Sequence, residues 1–380
     1  MDEARLERLM ASKHSQYIGS VQHLLPQMYM ERFAGGTGVL TRIDRTTNDR
    51  RQIPITALLA QRDFYTFVEH DGSRSGQLEA LLGAVEADAA EVLRQLTHPL
   101  FRQIPLTPDH RLALANFVAF QYLRGARWRR TLEVLFDVTE RVVLASVNES
   151  NVDAFLSDRG VDPTAEARAE VLEWVANLDS RQFGVHPNEH IRSMAEQFQL
   201  VWPLFYWRPI RLVVFPEPCL VTCDEPIYVA PSSIEAVELG VGSGLIDASA
   251  LWLPIDARHL LVFGRLRTMA DAGDIVISSR DIDLNAAHVN STTMANSHRW
   301  VLVGPDVAAP TADQMPGPAS VIGVTGLEAL PGLDQVLATL DPLGRLRPGD
   351  APLESSRSDE AGLGLEGAQR RQHGSYPRVP

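Results

Sequence analysis

The first third of this chain contains the stretch that decides its fold, residues 77–96, which read QLEALLGAVEADAAEVLRQL. Apolar side chains recur there every three or four positions, at Leu78, Leu82, Val85, Ala89, Val92 and Leu96. This spacing puts them on one face of an α-helix, because 3.6 residues complete each turn. The stretch therefore predicts a long amphipathic helix, Gln77–Leu96, that opens a helical region.

The helical pattern continues downstream in four further segments. Asp109–Arg130 and Leu132–Val147 follow each other, and only the pair Gly125-Ala126 weakly interrupts their patterns. Two later helices have recognisable ends. The pair Asp162-Pro163 is typical of an N-cap and first turn, and it predicts a helix to about Leu178. The last predicted helix runs from Pro187 to about Trp202, where Pro203 should stop it because proline has no N–H to donate.

The sequence becomes strand-like near Pro209. Short segments rich in β-branched and aromatic residues are bounded there by proline, glycine or aspartate, which is typical of strands. The predicted strands are Arg211–Phe215, Cys219–Cys223, Ala250–Leu253, His259–Phe263 and Trp300–Val303. Upstream of the helices, Gly38–Asp44 and Arg51–Ile55 predict a hairpin through the polar turn Arg45–Arg50. Helices followed by strands predict an α+β fold with a mainly antiparallel C-terminal sheet.

The predicted ordered body is a single α+β domain over residues 1–304. From Gly304 onward the chain is rich in Pro, Gly, Ala, Ser and Asp, and only Leu333–Leu340 resembles a weak helix. Such a composition buries too little apolar surface to fold, so we expect residues 305–380 to form a largely disordered tail.

Charge and composition exclude several classes of protein. The net charge of -13 argues against a general binder of nucleic acid or anionic membranes, although it leaves a local basic patch open. Lys13 is the single lysine, which excludes a Walker-type phosphate loop and argues against a Schiff-base lysine. Cys219 and Cys223 would lie about 13 Å apart in one strand, too far for a disulfide or a shared metal.

The compartment follows from what the sequence lacks. Two cysteines among 380 residues suit a reducing environment. The segment Met1–Leu9 is charged rather than apolar, so it does not resemble a signal peptide. No apolar run approaches the roughly 20 residues that span a bilayer. We therefore expect a soluble, cytoplasmic protein without a membrane partner.

A second informative stretch, HLLPQMYMERF, occupies residues 23–33. Pro26 suits the first position of a helix, where its missing N–H costs nothing. This arrangement predicts that His23 lies just outside a helix N-terminus, where free N–H groups and the helix dipole favour anions. Tyr29 and Phe33 follow one turn apart on the same predicted helix.

These residues, together with other stretches, resemble a bacterial family of unknown function, numbered 4238 among such families. The stretch Arg62-Asp63-Phe64-Tyr65 resembles its acidic-aromatic element, and the pairs Leu78-Glu79 and Val85-Glu86 resemble its glutamate-bearing helix. The remaining matching elements are Val221–Pro226, which ends in an Asp-x-Pro turn, and a closing element with Asn290, Ala295 and Trp300–Val303. The resemblance covers roughly residues 14–304 and implies no established activity.

The chain departs from the family pattern at one point. The family usually follows its Gln-x-x-Arg helix with Thr-Pro or Ser-Pro, whereas here Gln121 and Arg124 are followed by Gly125-Ala126. The departure leaves open whether this helix breaks at the same place as in the family.

Two glutamates on the first predicted helix are candidate site residues. Glu79 and Glu86 are two turns apart, about 10 Å along one side of the helix. Gln121 and Arg124 extend an apolar helix face, which is costly unless they find partners. A semi-buried ion-pair network of the glutamates with Arg124 or Arg127 is one interpretation, and a catalytic or ligand-binding site is the other.

Asp224 and His23 also allow two interpretations each. Asp224 ends a predicted strand, where site residues concentrate, but its carboxylate could instead close an Asx-turn. His23 is either a general base or a hydrogen-bonded packing residue. The pattern His186–His190 resembles that of inverted zinc proteases, but Pro187 makes His186 an N-cap and no third ligand is evident. We therefore predict no metal site there.

Two hypotheses of function follow. In the first, the protein is a hydrolase-like enzyme acting on a phosphate-bearing or nucleotide ligand, and its cofactors are unknown. His23 is the general base, Glu79 and Asp224 orient it or hold a divalent metal, and the ligand is bound by Gln121, Arg124, Arg127 and Tyr65. In the second, the same residues form a structural polar core of a non-catalytic module that binds a partner protein.

Overall fold

A computed structural model describes the chain at residues 21–62, 64, 66–68, 74–75, 77–98, 107–180, 183–232, 244–266, 276–278 and 285–317. Several sequence predictions fall wholly or partly outside these residues. They concern residues 14–20 of the family resemblance, Tyr65, the weak helix Leu333–Leu340 and most of the tail 305–380.

Eight helices occur in the described part of the chain. In chain order they are α1 (Gln27–Glu31), α2 (Gln77–Thr97), α3 (Pro108–Leu123), α4 (Ala126–Ala145), α5 (Val152–Asp158), α6 (Ala165–Ala176), α7 (Pro187–Tyr206) and α8 (Ala286–Asn296). The helix predicted from residues 77–96 is confirmed as α2. The sequence analysis missed α5 and α8.

The strands are numbered in chain order across the same described residues. They are β1 (Val21–His23), β2 (Val39–Asp44), β3 (Arg50–Pro54), β4 (Ala60–Arg62), β5 (Phe67–Val68), β6 (Arg74–Ser75), β7 (Ile210–Val214), β8 (Thr222–Cys223), β9 (Tyr228–Val229), β10 (Leu251–Pro254), β11 (His259–Phe263), β12 (Val276–Ser278) and β13 (Trp300–Val303). Four of the five strands predicted after Pro209 agree with β7, β10, β11 and β13 to within one residue.

The strands form two larger sheets and two small antiparallel pairs, β1–β4 and β5–β6. One larger sheet has the order β3-β2-β13-β8, and each of its strand pairs is antiparallel. The other has the order β12-β7-β11-β10-β9, in which β12 and β7 are parallel and the other pairs antiparallel. The chain is therefore an α+β protein with mainly antiparallel sheets, as predicted.

The predicted N-terminal hairpin is confirmed as β2 and β3. The free side of β2 pairs with β13, so that Trp300 lies opposite Asp44. One four-stranded sheet thus joins the hairpin near the start of the described chain to a strand near its end.

The chain divides into two compact units, which are described separately. The larger unit comprises the described residues up to Arg129 and those from Pro187 onward, and it contains both larger sheets. The smaller unit comprises the described residues between 130 and 186. The single domain expected over residues 1–304 stays a prediction.

The stretch at residues 23–33 contributes to the core of the larger unit. The rings of Tyr29 and Phe33 have centroids 5.4 Å apart, and both side chains are buried. The Tyr29 hydroxyl donates to the Pro254 carbonyl at 2.6 Å and lies 2.8 Å from Thr222 Oγ1. Hydrogen bonds therefore attach α1 to two strands that belong to different sheets.

A buried arginine joins several backbone segments of the larger unit. The Arg208 side chain has no exposed surface, and the residue lies two positions after the end of α7. Its guanidinium donates to the carbonyls of Leu204, Leu245, Ala248 and Gly264. Burial lowers the pKa of Arg208 to about 10, so the group remains charged at neutral pH.

The smaller unit has its own buried ion pair on α4. Arg141 is fully buried, and its Nε lies 2.6 Å from Asp137 Oδ2 one turn earlier. Arg141 Nη1 donates to the Leu178 carbonyl at 2.6 Å, and Asp137 Oδ1 accepts the Phe183 N–H at 2.8 Å. The ion pair therefore fixes the chain that follows α6 against α4.

Three predicted helix boundaries were wrong. The helices expected at Asp109–Arg130 and Leu132–Val147 instead meet at Gly125, because α3 ends at Leu123 and α4 already begins at Ala126. The N-cap expected at Asp162 is Thr164, whose hydroxyl accepts the Ala167 N–H at 3.1 Å.

Pro203 does not stop the helix that contains it. It lies inside α7, which continues to Tyr206. Val201 and Phe205 on either side of it are buried in the main core. Packing of this face outweighs the one backbone hydrogen bond that proline removes, because most helical stability in proteins comes from tertiary contacts.

The strand expected at Cys219–Cys223 is shorter than predicted. Only Thr222 and Cys223 form β8, because the N–H groups of Cys219 and Leu220 both donate to the Ala257 carbonyl outside any strand ladder. Both cysteines are free thiols. Among the described residues, no helix is both long and apolar enough to cross a membrane.

Candidate functional site

A polar cluster lies where α3 meets α2. Arg124, the C-cap of α3, is 3% exposed, and its Nη1 lies 2.7 Å from Glu86 Oε1 on α2. Its Nε and Nη2 donate to Gln121 Oε1 at 2.9 and 2.5 Å. The predicted pairing of Arg124 with a glutamate of α2 is therefore present, and Gln121 completes it.

Gln121 also contacts the stretch that opens the family resemblance. Its Nε2 lies 3.5 Å from the Leu24 carbonyl, at the outer limit of a hydrogen bond. Leu24 directly follows His23. The cluster of Glu86, Gln121 and Arg124 thus borders the backbone next to His23.

Glu79 lies close enough to this cluster to interact electrostatically with Glu86 and Arg124. It is half-buried near the start of α2, and among the described residues it makes no hydrogen bond or ion pair. Burial and the neighbouring Glu86 raise the pKa of Glu79, and the positive charge of Arg124 opposes them only in part. A carboxyl group in this setting takes up and releases a proton closer to neutral pH than an ordinary glutamate does.

His23 does not lie directly before a helix, as the sequence suggested. It ends strand β1, opposite Ala60, and Pro26 is the N-cap of α1 rather than its first residue. His23 Nε2 lies 3.1 Å from the Thr56 carbonyl and 3.2 Å from Gln27 Nε2. With the proton on Nε2, the ring donates to the Thr56 carbonyl and Nδ1 is the acceptor; with the proton on Nδ1, Nε2 instead accepts from the Gln27 amide.

Asp224 is fully engaged by backbone donors. Its Oδ1 accepts the His298 N–H at 2.8 Å, and its Oδ2 accepts the N–H groups of Arg299 at 2.7 Å and Trp300 at 3.0 Å. The side chain is 6% exposed. Instead of closing its own turn, Asp224 holds the chain that enters β13 against β8.

Glu225 has a comparable role at the break between α3 and α4. Its Oε1 accepts the Arg127 N–H at 2.8 Å, at the N-terminus of α4, where a negative charge is favourable. A Cβ at Gly125 would overlap both Glu225 carboxylate oxygens. This contact explains why position 125 holds a glycine.

Arg127 contributes to this second group. Its Nη2 donates to Asn296 Oδ1 at 2.7 Å and to the Asn296 carbonyl at 3.0 Å. Asn296 is 2% exposed, and its Nδ2 donates to the carbonyls of Glu225 at 2.5 Å and Ile227 at 2.9 Å. Sequence analysis missed Asn296 because the helix that contains it was not predicted.

The predicted site residues therefore fall into separate groups. Glu79, Gln121 and Arg124 lie together, and His23 is adjacent through Leu24. Asp224 and Arg127 are engaged elsewhere, and Tyr65 lies outside the described residues. In the described part of the chain, no three His, Cys, Asp or Glu side chains are grouped as metal ligands.

A titratable pair that the sequence did not suggest lies between β10 and β11. His259 Nδ1 is 2.8 Å from Asp256 Oδ1, which also accepts the His259 and Arg258 N–H groups. Burial raises the pKa of Asp256, but these bonds and the positive charge of Arg32 outweigh it and lower the pKa overall. The pair closes the tight turn between the two strands.

The fold defines the class of protein as an α+β protein with a helical middle and mainly antiparallel sheets. A family model described as "Protein of unknown function (DUF4238)" matches residues 21–306, which is most of the chain. The chain belongs to this family. No curated protein and no solved structure matches it.

Proposed function

We propose that this protein is a hydrolase-like, cytoplasmic enzyme whose small-molecule site is built around Glu79, with His23, Gln121 and Arg124 at its border. The observation that supports the proposal is the state of Glu79: a half-buried carboxyl with a raised pKa and no hydrogen-bond or ion-pair partner among the described residues. Buried polar groups normally find partners, so an uncommitted one is a candidate for ligand contact.

The charges around Glu79 indicate which ligand it suits. Glu79 and Glu86 together carry two potential negative charges, and Arg124 is already paired with Glu86. A phosphate group would meet like charge here, whereas a neutral or cationic group would be attracted. We therefore assign Arg124 to positioning Glu86 and Gln121, instead of the anion clamp that the sequence suggested.

The chemistry we propose is proton transfer during bond cleavage. Glu79 in its protonated form would donate a proton to the leaving atom of a neutral or cationic substrate. In the tautomer that donates from Nε2 to the Thr56 carbonyl, His23 would accept a proton at Nδ1 from water, and the oxygen of that water would bond to the substrate atom that the leaving group departs from. Burial and Glu86 raise the pKa of Glu79, which makes it the better proton donor of the two groups and leaves the imidazole of His23 as the proton acceptor.

A thermal-shift screen tests the proposal with amines, nucleosides and uncharged esters as probes. At least one probe should raise the melting temperature of the wild type, and Glu79→Gln should abolish that shift. Glu91→Gln is the matched control, because Glu91 lies on the same helix but is exposed and paired with Arg94. The probe that binds should then be cleaved by the wild type and not by His23→Ala. The proposal fails if Glu79→Gln responds like Glu91→Gln, or if no probe binds.

A second candidate function, a non-catalytic module that binds a partner protein, is favoured by a different observation. The carboxylates of Asp224 and Glu225, in the Asp-x-Pro element, accept hydrogen bonds from backbone N–H groups. Residues with such roles support a scaffold rather than catalysis. A partner captured equally well by the wild type and by Glu79→Gln, without cleavage of any probe, would favour this function.

A further inference from the structure

A group of arginines surrounds one tryptophan on the sheet β3-β2-β13-β8. The guanidinium carbon of Arg42 lies 4.0 Å from the centroid of the Trp300 ring, and that of Arg299 lies 4.3 Å from it. Arg42 is on β2 and Trp300 on the neighbouring β13. Stacking on an aromatic ring holds a guanidinium in place and leaves its N–H groups, which lie in its own plane, free to bind.

A third arginine faces the first across the hairpin. Arg51 on β3 lies directly opposite Arg42 in the strand register. Like charges directly opposite each other on a sheet are destabilising. Burial lowers the pKa of Arg42, and the positive charges of Arg51 and Arg299 lower it further. The sheet therefore keeps three guanidinium groups close together at a cost to its own stability.

The acidic neighbours of this group do not occupy all of its donors. Asp44 Oδ2 lies 3.1 Å from Arg299 Nε, and Asp49 Oδ2 lies 2.7 Å from Arg51 Nε. Arg42 makes no hydrogen bond or ion pair among the described residues, so the five N–H donors of its guanidinium are available. The Arg51 and Arg299 side chains are 66% and 44% exposed, which leaves the group accessible.

The net charge of this surface is opposite in sign to that of the whole chain. Three arginines and two aspartates give the patch a charge of about +1, whereas the chain carries -13. The patch is thus a locally positive surface on a protein whose net charge is negative. Such a surface attracts anions that the rest of the molecule repels.

Asp224 fixes the position of this patch. Its Oδ2 accepts the backbone N–H groups of Arg299 and Trp300. These are the residues that supply one guanidinium and the ring on which two guanidiniums stack. Asp224 is therefore a positioning residue for the patch.

We infer that Arg42 and Arg299, which stack on Trp300, form together with Arg51 a binding site for a phosphoryl group. A phosphate offers oxygens to several planar guanidinium forks at once, whereas a carboxylate with two oxygens is matched by a single fork. Guanidinium groups already lie against the indole ring, so a nucleobase of the ligand would not stack on it. The phosphoryl group is recognised instead by hydrogen-bond donors and positive charge. The site is separate from Glu79 and does not depend on the function proposed for it.

Isothermal titration calorimetry at low ionic strength tests this site, since salt screens exposed charges. The probes are inorganic phosphate, a nucleoside monophosphate and a short single-stranded oligothymidylate. Phosphate and the monophosphate should bind to the wild type with similar affinity. Arg42→Gln should weaken both by about tenfold or more, because it removes charge-assisted hydrogen bonds. Arg192→Gln on α7 is the matched control, since that exposed arginine pairs with Glu189 and lies outside the patch.

The results for the separate probes show which kind of ligand carries the phosphoryl group. They also show whether Arg42 binds that group or only stabilises the fold. Much tighter binding of the oligonucleotide, lost in Arg42→Gln, would assign the site to a nucleic-acid backbone. Arg42→Gln should also leave the protein at least as stable as the wild type, because it relieves repulsion with Arg51. The inference is overturned if no probe binds, if Arg42→Gln binds as tightly as Arg192→Gln, or if Arg42→Gln unfolds the protein.

Discussion

The Glu225 carboxylate occupies the space in which a side chain at position 125 would begin, so any residue larger than glycine at position 125 would displace this carboxylate. The same carboxylate accepts the Arg127 N–H at the start of α4. One contact therefore sets both where α3 and α4 separate and how the new helix is capped.

Gly125→Ala should lower the free energy of unfolding by about 1–3 kcal/mol, the usual cost of forcing extra volume into a packed site. Urea denaturation measures the change. Gly83→Ala is the matched control on α2, where a Cβ would meet open space. It should instead raise the free energy of unfolding by about 0.5–1 kcal/mol, because alanine favours helix more than glycine does. Equal effects of the two substitutions would contradict the Gly125–Glu225 contact.

Asp224→Asn should lower the free energy of unfolding by roughly 1–3 kcal/mol. The amide keeps the size of the carboxylate, but its NH₂ group faces N–H donors that then lose their acceptor. Thermal unfolding followed by circular dichroism measures the loss. Asp49→Asn, a change at an exposed turn residue paired with Arg51, should have little effect. An Asp224→Asn variant as stable as the wild type would mean that the backbone N–H groups that face the new NH₂ find other acceptors.

Glu79→Gln should make the protein more stable at pH 7. Burial and Glu86 raise the pKa of Glu79 in the folded protein above its ordinary value of 4.5. Folding therefore favours the protonated form of Glu79 more than the unfolded chain does. Its contribution is fully present below the unfolded pKa and is lost as pH rises through the folded pKa. The gain in the variant should therefore vanish below about pH 4.

Glu91→Gln is the control for that experiment, because the pKa of Glu91 is shifted in the opposite direction from that of Glu79. Hydrogen bonds from Arg94 and Gln95 lower the pKa of Glu91, so its contribution is present above its ordinary pKa and lost on acidification. This variant should gain no stability at pH 7. Urea denaturation at pH 4 and pH 7 measures both. If Glu79→Gln is the less stable protein at pH 7, Glu79 is a structural partner of Arg124 and not an uncommitted group.

Arg208→Lys should lower the free energy of unfolding by at least about 3 kcal/mol, because a lysine cannot reach four carbonyls with a planar fork. Guanidinium-induced unfolding measures the loss, with Arg192→Lys as an exposed control that should change stability by less than about 1 kcal/mol. A small effect at Arg208 would show that ordered water can replace its hydrogen bonds.

Much of the fold could be predicted where the sequence has a clear period. The apolar spacing of residues 77–96 predicts α2 almost to its ends, and the β-branched segments predict β7, β11 and β13. These patterns depend on neighbours a few residues away. Pro203 illustrates the limit, because the burial of Val201 and Phe205 carries the helix through a residue that normally ends one.

The candidate site divides in the same way. Gln121 and Arg124 share a face of α3, so their need for a partner and the pairing of Arg124 with α2 could be predicted. The partners of Asp224 lie 74 to 76 residues away, and no local pattern in the sequence points to them. The patch around Trp300 was missed for the same reason, since strand pairing between distant segments brings its arginines together.

The pairing of β2 with β13 has a consequence for synthesis of the chain. Asp44 and Arg299, which form an ion pair across these strands, are 255 residues apart. At typical ribosomal speeds, roughly 13 to 50 seconds pass between the appearance of the two strands. During this interval the nascent hairpin has one edge of β2 open, and such an edge pairs readily with foreign strands. The protein should therefore depend on chaperones more during translation than during refolding of the finished chain.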